Sequence, residues 1–394
     1  MPERLFTKPF LLVSLANFTN GMAYALFLHF SGYLADLGAS DVQIGLIYGA
    51  AAVASIAIRP LLGPAMDRYG RVPVIMVGNV LNIVFVLLYL TVATLGPWVY
   101  AVRIGHGIAG AMLFSALFTY GADVIPSARR TEGIALFGVS GLLPIGVAGI
   151  VGDLVLSLAG FRELFLTAAG FAVLTLVLSI PLPERRPELE PGDSPRGFWK
   201  IVITPNLLPV WWMIGAFSTV LTGYFVFIRR YVDDTGLGSV GLFFSTYVAV
   251  AIGERILFGW LPDRVGKKRV LYPSFAVLIG GFLILAGASS WVGVAIAGAL
   301  CGAGHGFIFP ILTAFLIDRA PDSDRGSAMS FFTALFDVGT LVGGPILGAI
   351  IDTAGWGPMY IFAGASLGIS TVIFARWDRR FTNDGVESTV SAKG

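Results

Sequence analysis

Charge and cysteine are scarce in this sequence, and each scarcity excludes a class of protein. Only 13% of the 394 residues are charged, against about 25% in an ordinary soluble domain. The one cysteine, Cys301, lies in an apolar run, which excludes a disulfide framework and a cysteine zinc site. The 26 basic residues are scattered over short loops, so no basic patch indicates nucleic-acid binding. We predict no metal and no cofactor.

Catalytic motifs are missing as well. The sequence has no nucleophile–base motif, no phosphate-binding loop and no metal-ligand cluster. We therefore expect a protein that is not an enzyme.

Long apolar stretches take the place of charge. Hydrophobic residues make up 56% of the chain, and the 50 glycines suit helices that pack closely in lipid. A spanning helix needs about 20 apolar residues, and twelve stretches meet this length. The sequence therefore predicts an all-α membrane protein with twelve transmembrane helices. They cover approximately 9–34, 42–62, 73–93, 98–121, 132–155, 162–181, 206–228, 239–260, 270–288, 291–316, 328–351 and 357–376.

The distribution of polar residues divides the chain into four parts. We expect a six-helix bundle over 1–182 and a second one over 206–380. Residues 183–205 hold acids, bases and several prolines, which is typical of a polar cytoplasmic linker, with a short interfacial helix at 198–202. The polar tail 381–394 is expected to be disordered.

The basic residues also predict the orientation. With the N-terminus inside, 20 of the 26 lysines and arginines lie on the cytoplasmic side, 3 lie in outer loops and 3 lie within spans. This asymmetry predicts a multi-pass protein of the inner (cytoplasmic) membrane with both termini in the cytoplasm.

One short pattern occurs twice in the chain. GPAMDRYGR at Gly63–Arg71 recurs 196 residues later as GWLPDRVGK at Gly259–Lys267. An arginine precedes each aspartate by eight residues, and a Gly-His-Gly triplet occurs at 105–107 and again at 304–306. Several matches in the same order indicate an internal duplication. We therefore expect two pseudo-symmetric six-helix bundles.

The doubled pattern resembles the signature of the major facilitator superfamily, G-x-x-x-D-x-x-G-R/K between the second and third helices with an echo between the eighth and ninth. Within that family the chain looks most like efflux-type permeases of the arabinose- or drug-exporter-like kind. Arg103 and Gly107 on the fourth helix resemble the arginine motif of proton-coupled antiporters. The antiporter pattern of the fifth helix is only loosely present around Pro144, and a closer echo ends at Gly348 on the eleventh helix.

The resemblance implies a secondary active transporter that moves a small organic solute by alternating access, with proton-coupled efflux as the leading function. A nutrient uptake symporter or a facilitator on the same fold is the alternative, and a transport-inactive sensor is a third possibility. The implied partners are the small-molecule substrate, protons and the lipid bilayer. We expect a monomer.

The two motif loops are interpreted as gates on the cytoplasmic side. Each aspartate and the base four residues later are spaced for a salt bridge across one helical turn, and a second acid follows near the end of a later helix. The alternative is loop charge that only sets the topology. Arg59 and Arg255 are expected to support these loops. The gating candidates are Gly63, Asp67, Arg71 and Asp123 in the first half, and Gly259, Asp263, Lys267 and Asp318 in the second.

Ionisable side chains inside the predicted spans are candidates for proton coupling, because their burial in lipid is costly. Asp337 lies about ten residues into the eleventh helix, and Glu254 lies deep in the eighth beside Arg255. The alternative for Glu254 is a structural pair with a base, and Asp337 could instead cap or pin a helix crossing. Arg103 could be a snorkelling arginine, and the histidines could be packed or hydrogen-bonded structural residues. The candidates are Asp337, Glu254, Arg103, His106, His29 and His305.

By family resemblance the first, fourth, seventh and tenth helices line the substrate cavity. Asn17, Asn20 and Tyr24 share one face of the first helix, Tyr224 lies on the seventh and Phe307 on the tenth. A lining of aromatic and amide groups favours an amphipathic organic solute over an inorganic ion. Alternatively, the amides bond to a neighbouring helix and hold the bundle together.

Overall fold

The computed structural model describes residues 5–126, 129–184, 201–320 and 325–391. Within these ranges, twelve helices are long and apolar enough to cross a membrane, which confirms the predicted fold class. The first half holds α1 (Lys8–Asp36), α2 (Asp41–Tyr69), α3 (Arg71–Leu88), α4 (Pro97–Val124), α5 (Arg130–Leu158) and α6 (Phe161–Ser179). The second half holds α7 (Leu208–Thr235), α8 (Val240–Phe258), α9 (Lys267–Gly287), α10 (Trp291–Arg319), α11 (Arg325–Ala354) and α12 (Trp356–Ser391).

The helices extend beyond the apolar stretches that predicted them. Helix α2 passes through Pro60 and Pro64 and ends at Tyr69, seven residues after the predicted limit of 62. Apolar length reports only the part of a helix that lies in lipid, whereas the helix itself ends where the backbone is forced to turn. For α2 that turn comes at Gly70.

The linker and the tail differ in how far the structure describes them. Most of the interfacial helix expected at 198–202 lies outside the described residues, because the description resumes at 201. Helix α12 continues to Ser391 and so includes the first eleven residues of the segment where a disordered tail was expected. That segment has no proline to end the helix.

Both motif loops turn at a glycine in a left-handed conformation. Gly70 has φ 99° and Gly266 has φ 106°, values that residues with a Cβ rarely adopt. Arg71 and Lys267 then begin α3 and α9. We call the end of the bundle that holds these loops the motif end, and the end where α2 and α8 begin the opposite end.

The two halves meet mainly along two helix pairs, α2 with α11 and α5 with α8. Glycines allow the close approach: a methyl group at Gly45 of α2 would overlap the backbone of Gly344 on α11. Every described hydrogen bond between the halves lies between the opposite end and the level of Thr333, one turn beyond Asp337 toward the motif end. The structure therefore has the opposite end closed.

Candidate functional site

An ion pair joins the two halves near the middle of α2 and α11. Arg59 donates to Oδ2 of Asp337 from Nε at 2.9 Å and from Nη2 at 2.8 Å. Ser55, one turn earlier on α2, donates to the same oxygen at 2.8 Å, and Nη1 of Arg59 donates to Oγ1 of Thr333 at 2.9 Å. The side chains of Arg59 and Asp337 are only 9% and 23% exposed, so the pair is largely shielded from solvent. All three donors contact one oxygen of the carboxylate, Oδ2, and a proton on the carboxylate would weaken their hold on it.

The equivalent arginine of the second half is used differently. Nε of Arg255 donates to the carbonyl of Gly306 on α10 at 3.2 Å, within its own half. Glu254 packs against the same glycine, where a methyl group would overlap its carboxylate. Oε1 of Glu254 is buried, with no hydrogen-bond partner among the described residues. The expectation that Arg59 and Arg255 support the motif loops is wrong, because their helix positions direct both side chains into the protein.

In each motif loop the base contacts the second acid of its own half. Nε of Arg71 lies 3.0 Å from Oδ2 of Asp123, and Nζ of Lys267 lies 2.5 Å from Oδ2 of Asp318. Asp263 is exposed, and the expected helical-turn pair with Lys267 does not form because the chain turns at Gly266 between them. The side chain of Asp67 lies outside the described residues.

The glycines Gly63 and Gly259 precede these loops. No atom lies within 4 Å of a methyl group placed at Gly63, whereas one placed at Gly259 would overlap the carbonyl of Arg255. The loops thus contain an ion pair within each half, and no described hydrogen bond or salt bridge joins one loop to the other half.

Arg103 on α4 lies in an aromatic cage in the first half. Its guanidinium carbon is 4.4 Å from the centre of the Tyr48 ring and 5.3 Å from that of Phe30, and Nη1 is 3.5 Å from the hydroxyl of Tyr89. Within the described ranges no carboxylate lies at salt-bridge distance from Arg103. The faces of the aromatic rings therefore provide the stabilisation of its guanidinium cation.

The two repeated histidines occupy similar aromatic surroundings. Nδ1 of His106 lies 3.2 Å from the hydroxyl of Tyr89, and Nδ1 of His305 is hydrogen-bonded to the hydroxyl of Tyr247. Tyr24 donates to the backbone carbonyl of His106 at 2.7 Å, and their rings are 4.6 Å apart. These contacts place both histidines in packed positions.

His29 lies elsewhere, at the opposite end. It is fully buried, and its Nε2 is 3.0 Å from Oδ1 of Asp153 on α5. The six coupling candidates therefore divide into separate groups, and of these only Asp337 contacts the other half through its side chain in the described residues.

The cavity candidates are also divided. Nδ2 of Asn17 donates to Oγ of Ser140 on α5 at 2.9 Å, so this amide joins two helices. Oδ1 of Asn20 is buried without a partner among the described residues. Tyr224 is fully buried in the aromatic core of the second half, and Phe307 is partly buried. Tyr224 therefore does not line an open cavity in this conformation, because its ring packs on α8 and α9.

Sequence reasoning missed several residues that join the halves. Ser55 and Thr333 complete the Arg59–Asp337 pair. Asp352 and Asp153 accept backbone hydrogen bonds from α2 and α8 of the other half. The two aspartates carry a usable signal, because each follows a glycine by four residues and the pairs lie 199 residues apart.

Comparison with known proteins agrees with this architecture. The family model of the Major Facilitator Superfamily matches residues 10–286 and 237–392. The staphylopine export protein of Staphylococcus aureus (strain Mu50) is 24% identical over 381 residues, which cover 90% of this chain and 92% of that protein.

Two solved structures share the fold. The nucleoside transporter NupG matches with a TM-score of 0.77 at 14% identity, over 94% of this chain and 99% of that one. An inward-facing, unoccupied bacterial homologue of the human lysosomal transporter Spinster matches with a TM-score of 0.75 at 15% identity, over 95% and 97% of the two chains. The chain therefore belongs to the major facilitator superfamily, and it is a membrane transporter rather than an enzyme.

Proposed function

We propose that this protein exports a small organic solute from the cell in exchange for protons. The two halves alternate between a state open to the cytoplasm and a state open to the outside. The chain acts as a monomer in the inner membrane. Its similarity to a protein named as an exporter supports the direction of transport.

The orientation in this proposal rests on the basic residues. The motif end, with both termini, faces the cytoplasm because 20 of the 26 lysines and arginines lie on that side. A closed opposite end then corresponds to an inward-facing transporter. In this state a solute reaches the space between the halves from the cytoplasm.

The observation that carries the proposal is the ion pair between Arg59 and Asp337. It joins helices that must separate when the opposite end opens, so the charges have to part in each cycle. Breaking a shielded pair is costly unless one charge is neutralised. In the proposed cycle the bound solute drives the opening, and a proton that Asp337 then takes up from outside removes that cost.

The pair also sets the direction of proton movement. In the outward-open state Arg59 is withdrawn, and Asp337 takes a proton that enters from outside. When the opposite end closes, the guanidinium of Arg59 replaces the proton on the carboxylate oxygen. The proton leaves through the open cytoplasmic side, and the solute binds next. One proton thus enters while one solute molecule is exported.

The test uses liposomes that contain the purified protein and a pH-sensitive dye. A panel of small organic solutes is first screened for thermal stabilisation of the detergent-purified protein, and a stabilising solute is loaded into the vesicles. Efflux of the solute by exchange with protons should acidify the lumen. Symport would make the lumen more alkaline, and a facilitator would leave it unchanged.

A pair of variants assigns the coupling. Asp337→Asn should abolish the solute-driven pH change and retain exchange of labelled for unlabelled solute. Asp233→Asn, which removes a half-exposed partner of Arg229, should behave as the wild type. Acidification that persists in well-folded Asp337→Asn protein would overturn the role of Asp337.

A further inference from the structure

Helix α2 receives an acidic cap from the other half of the molecule. The first backbone N–H groups of a helix have no partner within the helix. The hydroxyl of Ser40 accepts from the backbone N–H of Gln43. The carboxylate of Asp352 on α11 serves the two N–H groups that lie between Ser40 and Gln43. It accepts from the N–H of Asp41 at Oδ1, 2.9 Å, and from the N–H of Val42 at Oδ2, 3.0 Å.

Helix α8 is capped in the same way, with the roles of the halves exchanged. Ser239 is the N-cap and accepts from Leu242. The carboxylate of Asp153 on α5 accepts from the N–H of Gly241 at Oδ2, 2.6 Å. Its other oxygen, Oδ1, is 3.0 Å from Nε2 of the buried His29. A carboxylate at a helix N-terminus is favoured by the helix dipole as well as by the hydrogen bond.

A glycine one turn before each aspartate lets the helices approach closely enough for the bond. A methyl group at Gly348 would overlap the carbonyl of Asp41 at the start of α2. A methyl group at Gly149 would lie 3.1 Å from Cα of Gly241 at the start of α8. The cap on α2 thus needs the glycine as well as the aspartate, and the cap on α8 has a glycine at the matching point of close contact.

The sequence spacing shows that the two caps are copies of one device. Gly149 and Gly348 are 199 residues apart, as are Asp153 and Asp352, and as are the N-cap residues Ser40 and Ser239. Both the acceptor helix and the donor helix are therefore repeated. In one cap the aspartate of the second half binds a helix start of the first half, and in the other cap the arrangement is reversed.

We propose that Gly149–Asp153 and Gly348–Asp352 are paired latches that hold the opposite end of the transporter closed. Each latch is a positioning element for the transport cycle, since it holds one half's carboxylate on the helix start of the other half. Opening of the opposite end separates α2 from α11 and α5 from α8, which breaks both latches together. This assignment does not depend on proton coupling or on the direction of transport.

The latches are tested by cysteine accessibility at the opposite end. Cys301, which is fully buried, is first replaced by alanine. Ser245 on α8 is then changed to cysteine as the reporter, because a methyl group at Gly146 of α5 would lie 3.4 Å from its Cα. A membrane-impermeant maleimide is added to intact cells and, separately, to inside-out vesicles, so that access from each end is measured without any solute.

Loss of either latch should raise labelling from the opposite end. We expect about a fivefold faster rate for Asp153→Ala and for Asp352→Ala, which remove the acceptor, and a larger increase for the double variant. Asp36→Asn, which changes an exposed acid at the same end, should label as the parent does. Gly348→Ala, which blocks the approach and keeps the carboxylate, should also accelerate labelling.

Two outcomes would overturn the latches. One is labelling at the parent rate in both single variants and in Gly348→Ala. The other is acceleration by Asp36→Asn equal to that by Asp352→Ala, since the effect would then come from charge at that end and not from the cap. If the double variant fails to fold, the single variants and Gly348→Ala decide the question.

Discussion

The α2–α11 and α5–α8 interfaces are built alike at the opposite end but differ near the middle of the membrane. Both have an aspartate on a helix start and a glycine one turn before it. Near the middle of the membrane, the α2–α11 interface also contains the ion pair between Arg59 and Asp337. On α8 the equivalent arginine, Arg255, forms no such pair with the described residues of α5 and donates instead to the carbonyl of Gly306 in its own half.

The difference indicates how a duplicated transporter can separate two tasks. The latches are needed on both sides, because two halves that rock about a common axis must close along both interfaces. A titratable link is needed once. Helix α5 contains no acid between positions 133 and 152, so the second interface has no carboxylate to pair with Arg255 at mid-membrane.

The largest expected effect is on the first interface. Arg59→Gln leaves Asp337 shielded without its cation, and we expect a loss of about 2–3 kcal/mol, below the range for a fully buried pair. Arg255→Gln removes one hydrogen bond to a carbonyl and should cost about 1 kcal/mol. Thermal melting of the detergent-purified proteins compares the two. Similar melting temperatures would mean that the interfaces do not differ in this way.

A double variant sharpens the same comparison. Arg59→Gln combined with Asp337→Asn removes both charges, so the double variant should be more stable than Arg59→Gln alone. An additive loss in the double variant would show that the two side chains are not energetically coupled.

A smaller effect is expected from glycines that set the helix spacing. Gly45→Ala drives a methyl group into the backbone of Gly344, which should weaken the closed opposite end by about 1–3 kcal/mol. Gly146→Ala on α5 meets the carbonyl of Phe244 at 3.2 Å and should be tolerated better. Labelling of Ser245→Cys from outside measures both. Equal rates in the two variants would contradict tighter packing at α2–α11.

The smallest effects concern the amides of α1. Asn17 donates to Ser140 on α5, so Asn17→Leu should lower the apo melting stability by about 1 kcal/mol. The Oδ1 of Asn20 has no described partner, and Asn20→Leu should leave the apo melting temperature nearly unchanged. It should remove the stabilisation produced by a solute found in the screen. A large apo loss in Asn20→Leu with solute stabilisation retained would make this side chain structural.

The sequence was sufficient for the fold because the signal there is local. Twelve apolar stretches and the doubled motif loop are readable without knowing how the helices pack. Asp337 and Glu254 were predicted as candidates for a similar reason, since an acid inside an apolar stretch is conspicuous. Helix ends were less accurate, because α2 and α12 continue beyond the lipid-facing residues.

The partners of these residues could not be predicted from local pattern. Arg59 and Asp337 are 278 positions apart, and their contact depends on how the two halves dock. The motif bases were placed correctly on the loops and near the second acid of each half, but the expected pair of Asp263 with Lys267 does not form, because the chain turns at Gly266 between them. The latches lie at helix ends, where charged residues are common, and only a comparison of the two halves at an offset of 199 residues would have identified them.

The most direct measurement is the pH dependence of opening at the opposite end. In the Cys301→Ala, Ser245→Cys background, the labelling rate in intact cells is divided by that of an exposed reference thiol at each pH. Acid should accelerate labelling of the otherwise wild-type protein, because a proton that Asp337 takes up from outside in the open state keeps Arg59 from pairing with it again. Asp337→Asn should label rapidly at every pH. A pH profile in Asp337→Asn that matches the wild type would contradict competition between the proton and Arg59.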